Sequence, residues 1–142
     1  PVVNPDGYEF SRTENNYWRK NRSRLGQDQA GKATTEIGVD LNRNYWDGKP
    51  EHHFIYRPEG DTPGNLSDDF SATSDDPGEE TYRGPYGGSE PEVKALLNLE
   101  LGHSNIKSVV DYHSYGDMIL YPYGHTHEES PNVALYQRIG HS

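Results

Sequence analysis

From Asp61 to Thr81 the chain reads DTPGNLSDDFSATSDDPGEET, a run of acids, small hydroxyls, Pro and Gly with almost no large apolar group. Such a stretch cannot bury enough surface to offset the entropy of ordering it, so a long surface loop is expected. A chain of 142 residues interrupted in this way must build its core from the segments on either side. Little is available there. The apolar fraction is 30%, against about 45–50% for ordinary domains on a count that includes Gly and omits Tyr. Tyr alone supplies 11 of these apolar residues. The inventory suits half of a core better than a whole one, and a chain so composed is expected to fold poorly alone.

The clearest helix signal is Ser89–Gly102. Ser89 and Glu92 have the spacing of a capping box, acids crowd the first turn, and Gly102 is a natural stop. Val93, Leu96, Leu97 and Leu101 recur at helical spacing. Ile106–Tyr112 and Met118–Tyr121 are short and apolar, the first of them β-branched, so two strands are expected. Pro1–Pro5 reads as the tail of another strand. Ser130-Pro131 opens a second helix with Val133, Leu135, Tyr136 and Ile139 as its apolar positions. Helix followed by buried strand points to an α/β layer architecture. One incomplete domain is expected, with the acidic insertion at about residues 46–81. The first residue is not Met and no basic-then-apolar leader is present, which suggests an excised or processed piece.

Charge narrows the function classes. The formal net charge is -10, the wrong sign for a nucleic-acid binder that must displace counterions. No apolar run approaches the ~18 residues of a membrane span, so neither nucleic acid nor membrane is an expected partner. The charge is uneven: a basic knot at Arg19-Lys20-Asn21-Arg22-Ser23-Arg24 precedes an acidic middle. There Lys49, Arg57, Arg83 and Lys94 face a far larger number of acids. That asymmetry suggests a cationic site in one part and a solvated insertion in another. There is no Cys, so disulfides and thiolate metal sites do not arise.

Three clusters carry chemistry. Trp18–Ser23 sets guanidinium groups beside an aromatic ring. In Gly38–Tyr45 two amide side chains flank Arg43, whose planar fork matches a carboxylate; the same Asn-Arg-Asn run also suits a turn. Asp111–Gly116 puts His113 at the end of an expected strand, a place for metal ligation or acid–base work. His125 and His127 share a face if extended, though a polar loop fits them as well. Asp68-Asp69 and Asp75–Glu80 offer hard oxygen ligands for Ca²⁺, without EF-hand spacing.

Asn4–Tyr8, Trp18–Arg22, Gly38–Asn44, Ser89–Glu92 and His113–Tyr115 with Leu120–Gly124 occur in an order that resembles the zinc metallocarboxypeptidases of the carboxypeptidase A/B type. Only the acidic stretch at about 46–81 lies outside the pattern. The resemblance implies part of a three-layer α/β/α mixed-sheet domain (phosphorylase/hydrolase-like) and a secreted enzyme. It also implies one Zn²⁺ and a peptide or protein substrate with a free C-terminal carboxylate. By the same resemblance His113 matches a zinc ligand, and Arg19 matches the arginine that polarises the scissile carbonyl and stabilises the oxyanion. Electrostatic help of that kind is worth roughly 2.7–4 kcal/mol. Asn42 and Arg43 match the pair that grips the terminal carboxylate; Ser114 and Tyr115 match residues lining the cleft.

The family's first two zinc ligands come from a His-x-x-Glu motif upstream. In this chain only His125 has a Glu three positions on, at Glu128, on the wrong side of His113 for the family order. The resemblance places the catalytic Glu after Ser142, so this chain alone is expected to be inactive. Two functions are consistent with the residues: a fragment of a zinc exopeptidase, and a non-catalytic relative that keeps Asn42-Arg43 as a module binding peptide C-termini.

Overall fold

The computed structural model describes residues 2–25, 35–46, 73–122 and 129–140. They fall into two compact units, Pro1–Ser104 and Asn105–Ser142.

Residues 2–4, expected as the tail of a strand, form none, and a helix that was not expected begins at Pro5. α1 spans Pro5–Thr13. Its start signals are local: the Asn4 side chain accepts from the Gly7 N–H at 3.0 Å, Pro5 sits in the first turn, and Asp6 places a negative charge there. Phe10 of α1 meets Trp18 edge to face at 5.1 Å between centroids. The Arg22 guanidinium lies 3.7 Å from the Phe10 ring centre and 4.5 Å from that of Trp18. The helix is thereby pinned to the basic segment that follows it.

That segment runs beside residues 37–39. Asn21 N–H donates to the Val39 carbonyl at 2.9 Å, Gly38 N–H to the Ser23 carbonyl at 2.8 Å, and Arg24 bridges antiparallel to Ile37. Gly38 has φ +89, and an added Cβ would stand 2.3 Å from the Asn21 carbonyl oxygen. Next comes a 3-10 turn, Leu41–Arg43, after which Asn44 closes onto the Leu41 carbonyl at 3.1 Å. The turn reading of Asn42-Arg43-Asn44 is therefore realised. The described end of the acidic stretch is less solvated than its composition suggested. Thr73 and Pro77 are buried, and Ser74 bridges parallel to Tyr82. The buried Lys20 ammonium explains this packing, since it donates to the Pro77 and Glu79 carbonyls at 2.8 and 3.2 Å.

α2 spans Pro91–Gly102. The capping box is not formed. Glu90 is the N-cap residue and makes no side-chain cap bond, while the Ser89 hydroxyl donates to the Glu90 carboxylate at 2.7 Å. Glu92 turns instead toward the Asn21 amide. Gly102 lies within the helix and the cap is His103, with φ -123. Val93 is fully buried, whereas Leu101 is exposed. The buried apolar residues among those described are Val39, Leu41, Tyr82 and Val93, a core as small as the composition implied.

In the second unit α3 spans Val133–Gly140, as the Ser130-Pro131 signal indicated. The Ser130 hydroxyl accepts from the Asn132 N–H, and the Ser130 carbonyl from the Val133 N–H. Tyr136 of α3 stacks on Tyr121 at 5.7 Å. The two expected strands are not formed. Ile106–Tyr112 and Met118–Tyr121 make no ladder among the described residues, and Val110, Tyr112 and Leu120 are exposed. A strand exists only through its neighbours' hydrogen bonds, and no described segment pairs with these. The α/β layering is thus represented by helices and two isolated bridges. No helix of the described residues is long and apolar enough to cross a membrane.

Candidate active site

Arg19, Asn42 and Arg43 come together in the first unit around Asp40. The Asp40 side chain is buried, 4% exposed, and its Oδ2 accepts from Arg19 Nε at 2.8 Å. Its Oδ1 accepts from the Asn42 N–H at 3.1 Å, capping the 3-10 turn. The Asp40 carbonyl takes the Arg43 N–H at 2.9 Å, and the Asp40 N–H donates to the Tyr82 carbonyl at 2.8 Å. Arg19 itself remains 42% exposed. Arg43 Nη1 donates to the Asn42 carbonyl at 3.2 Å.

The backbone beneath these side chains is held by amides. Asn4 Nδ2 donates to the Arg19 and Lys20 carbonyls at 3.3 and 3.1 Å, while Asn4 Oδ1 caps α1. Gly7 permits this approach, because a Cβ there would lie 2.6 Å from the Lys20 carbonyl oxygen. Asn21 is fully buried: its Oδ1 accepts from Val39 N–H at 2.8 Å and its Nδ2 donates to Glu90 at 2.7 Å. Ser23 also donates to the Glu90 carboxylate. Asn44, equally buried, donates to the Arg83 and Tyr86 carbonyls and the Ser89 hydroxyl, and accepts from Glu90 N–H. The buried Glu90 carboxylate is thus met by the neutral donors Asn21, Ser23 and Ser89, an arrangement that satisfies a buried acid through hydrogen bonds. Burial strips water from the Lys20 ammonium and pushes its pKa below the ordinary 10.5, against the opposing pull of Glu80, Glu36, Asp76 and Asp40.

Sequence reading singled out the two arginines and Asn42 but passed over Asp40. An Asp two residues before a turn residue is turn chemistry, and that signal was available. Asn44 was noted only as an amide flanking Arg43, and Asn21 and Glu90 only as members of longer motifs, so their buried hydrogen-bonding roles were not foreseen.

His113, Ser114 and Tyr115 lie in the second unit. His113 is exposed, with Nε2 3.2 Å from Asp111 Oδ2. Ser114 and Tyr115 are exposed too. They precede Gly116 at φ 130 and Asp117 at φ 48, a sharp change of chain direction. Leu120 is exposed, and Gly124, His125 and His127 fall outside the described residues. One imidazole beside one carboxylate is less than the three protein ligands a catalytic zinc takes. Among the described residues no group of three His, Cys, Asp or Glu could hold a metal ion, so these residues alone do not fit a zinc site. The carboxylates considered for Ca²⁺ do not converge either. Asp76 is occupied in capping the Gly78 N–H at 2.8 Å, and Asp68 and Asp69 lie outside the described residues.

Comparison with known proteins extends these observations. Carboxypeptidase A4 of Mus musculus is 35% identical over 133 residues, which cover 94% of this chain and 26% of that protein. Mast cell carboxypeptidase A of Rattus norvegicus is 39% identical over 93% of this chain and 26% of its own length. Among solved structures, that of bovine thrombin-activatable fibrinolysis inhibitor in complex with tick carboxypeptidase inhibitor superposes with a TM-score of 0.73 at 30% identity. The superposition covers 99% of this chain and 40% of that one. The chain spans about a quarter of the length of the curated relatives it matches, 26% and 28% for two of them. The sequence pattern of the zinc carboxypeptidases matches residues 1–142 throughout, and the chain belongs to that family.

Proposed function

We propose that the protein containing this chain is a zinc-dependent carboxypeptidase that hydrolyses the C-terminal peptide bond of peptides and proteins. Residues 1–142 belong to a single catalytic domain of α/β/α layering, and the protein is secreted. What carries the reading is the gathering of Arg19 and the Asn42–Arg43 turn on one buried carboxylate, in a chain of this family. A peptide's free C-terminus is a carboxylate, and a guanidinium fork with an adjacent amide donor recognises that group in a defined orientation. Arg43 and Asn42 hold the terminal carboxylate, which restricts cleavage to the last residue. Arg19, half-exposed, presents its Nη groups to the scissile carbonyl and gains most as negative charge develops on that oxygen. Ser114 and Tyr115 line the cleft. His113 supplies one zinc ligand, and the rest of the donor set lies outside these residues.

The test is Arg43→Ala in the full-length parent protein. A charge-assisted hydrogen bond is worth roughly 1.5–3 kcal/mol, so kcat/KM on peptides with a free C-terminus should fall about 10- to 100-fold, mostly through KM. Peptides with an amidated C-terminus should be cleaved no worse than by the wild type. Equal loss on both substrates would contradict the assignment.

A further inference from the structure

Asn21-Arg22-Ser23 has the form Asn-x-Ser, the acceptor signal for N-linked glycosylation, which belongs on a protein's surface. In this fold the acceptor amide is interior. Asn21 is 0% exposed. Its Nδ2 donates to Glu90 Oε2 at 2.7 Å, to Ser23 Oγ at 3.1 Å and to Glu92 at 3.3 Å. Its Oδ1 accepts from the Val39 N–H at 2.8 Å and the Ser23 N–H at 3.2 Å. The Ser23 hydroxyl, which completes the signal, donates to Glu90, a residue itself 5% exposed.

Glycosylation joins Nδ2 to the anomeric carbon of an oligosaccharide. The amide gives up a proton, the N–C bond forms, and the bond from that carbon to the diphosphate of a lipid carrier breaks, releasing the lipid diphosphate. The product holds a sugar ring where the folded chain holds Glu90 and Ser23, in an interior packed too closely to admit it. Chain order nevertheless leaves the amide free for a time. Glu90 lies 69 positions after Asn21, so at about 5–20 residues per second of synthesis it follows about 3–14 s later.

We propose that Asn21 is a glycosylation site of the unfolded chain alone, so that glycosylation and folding compete for one amide. Folded protein carries a bare Asn21, and a chain glycosylated there does not close this unit. The inference concerns any host that N-glycosylates its secreted proteins, and it stands whether or not the protein is a carboxypeptidase.

The experiment directs the full-length parent protein into the secretory pathway of a eukaryotic cell line and collects secreted and retained protein separately. Each fraction is denatured and treated with peptide-N-glycosidase in heavy-oxygen water, which leaves a mass-tagged Asp wherever an Asn carried a glycan. Occupancy is read on the Asn21 peptide, apart from the chain's other Asn-x-Ser run, Asn65-Leu66-Ser67. The secreted protein should be bare at Asn21, with occupancy in the retained fraction higher by about tenfold or more, the least that losing one such buried hydrogen bond implies. Ser23→Thr keeps a hydroxyl for Glu90 at a part-buried position and makes the stronger acceptor signal. It should raise occupancy in the retained fraction several-fold and lower the secreted yield, while the secreted molecules stay bare. Made in a bacterium that does not N-glycosylate, this variant should unfold in urea at the wild-type midpoint, which separates the glycan's effect from that of the added methyl. If its midpoint is lower, the two wild-type fractions carry the test alone. Secreted, folded protein glycosylated at Asn21 as fully as the retained protein overturns the proposal. So does higher occupancy with no loss of secreted yield, or a bare Asn21 in both fractions of wild type and variant alike.

Discussion

Asn44 follows Arg43 directly and is fully buried, so replacing it tests whether the turn is held by hydrogen bonds or by packing. Four contacts converge on its side chain. Oδ1 accepts from Glu90 N–H at 3.1 Å, and Nδ2 donates to the Arg83 carbonyl at 2.8 Å, the Ser89 hydroxyl at 2.9 Å and the Tyr86 carbonyl at 3.0 Å. Two of these lie where water does not reach, those with Glu90 N–H and the Arg83 carbonyl. The serine hydroxyl already donates to Glu90 and can rotate, and Tyr86 is half exposed. Removing a partner from a buried polar group costs about 1–3 kcal/mol each, so Asn44→Ala should cost about 4 kcal/mol. With a urea slope of about 2.5 kcal/mol per molar, the unfolding midpoint of the parent protein should drop by about 1.5 M. Asn44→Asp separates the two explanations. It nearly preserves volume and keeps the acceptor for Glu90 N–H, but it turns a second oxygen toward two carbonyls and a hydroxyl and adds charge near a buried carboxylate. It should be at least as destabilising as Ala. A midpoint for Asp clearly above that for Ala would show that packing and not hydrogen bonding holds the turn, and a loss under about 1 kcal/mol for Ala would show that the Asn44 side chain does not hold it at all.

Two further outcomes follow from the same unit. Gly38→Ala forces a side chain onto a residue at φ +89 with a backbone oxygen 2.3 Å from the new Cβ. Strain alone costs about 1–3 kcal/mol, so urea unfolding should show a loss above that range, and an unchanged midpoint would refute the close approach. Lys20 gives a pH signature, because its folded-state pKa is depressed by burial below 10.5. Between that depressed value and 10.5 the unfolded chain holds more protons, so stability is gained as pH rises through the window. Measured against Lys20→Met, the wild type should improve its relative stability as pH is raised toward 10.5; a flat or falling difference would show that the ammonium is not desolvated.

Legibility in the sequence followed the range of the interaction. α3 was readable because Ser130-Pro131 and four apolar positions lie within one short window. α1 carries equally local signals in Asn4, Pro5 and Asp6, yet no helix was expected there. The capping box at Ser89 failed for a different reason. Its hydroxyl and its partner Glu92 were claimed by Asn44, Glu90 and Asn21, residues up to 71 positions distant. No local pattern reports such competition. The roles of Arg19, Asn42 and Arg43 were expected from ordered motifs, but the residue that gathers them, Asp40, lies 21 positions from Arg19. Its importance emerges only when the chain is folded.

The apolar poverty of the chain and the amide network are two aspects of one design. Val39, Leu41, Tyr82 and Val93 cannot by themselves order segments as far apart as residues 4, 21, 44 and 90. Asn4, Asn21 and Asn44 do so instead: Asn21 and Asn44 spend both the oxygen and the nitrogen of the side chain on groups distant in sequence, and Asn4 reaches the Lys20 carbonyl with its nitrogen while its oxygen caps α1 at Gly7. Dispersion tolerates a shift of a few tenths of an ångström at modest cost, whereas a buried hydrogen bond is directional and expensive to leave unmade. A scaffold held in this way is rigid where it is satisfied. That is the property required by the proposed site, in which two guanidinium groups act on different oxygens of one substrate. The cost is sensitivity: an amide-to-apolar change at Asn21 or Asn44 should disturb turnover as well as stability, while a conservative change at the buried Val93 of α2, which makes none of these hydrogen bonds, should disturb stability alone.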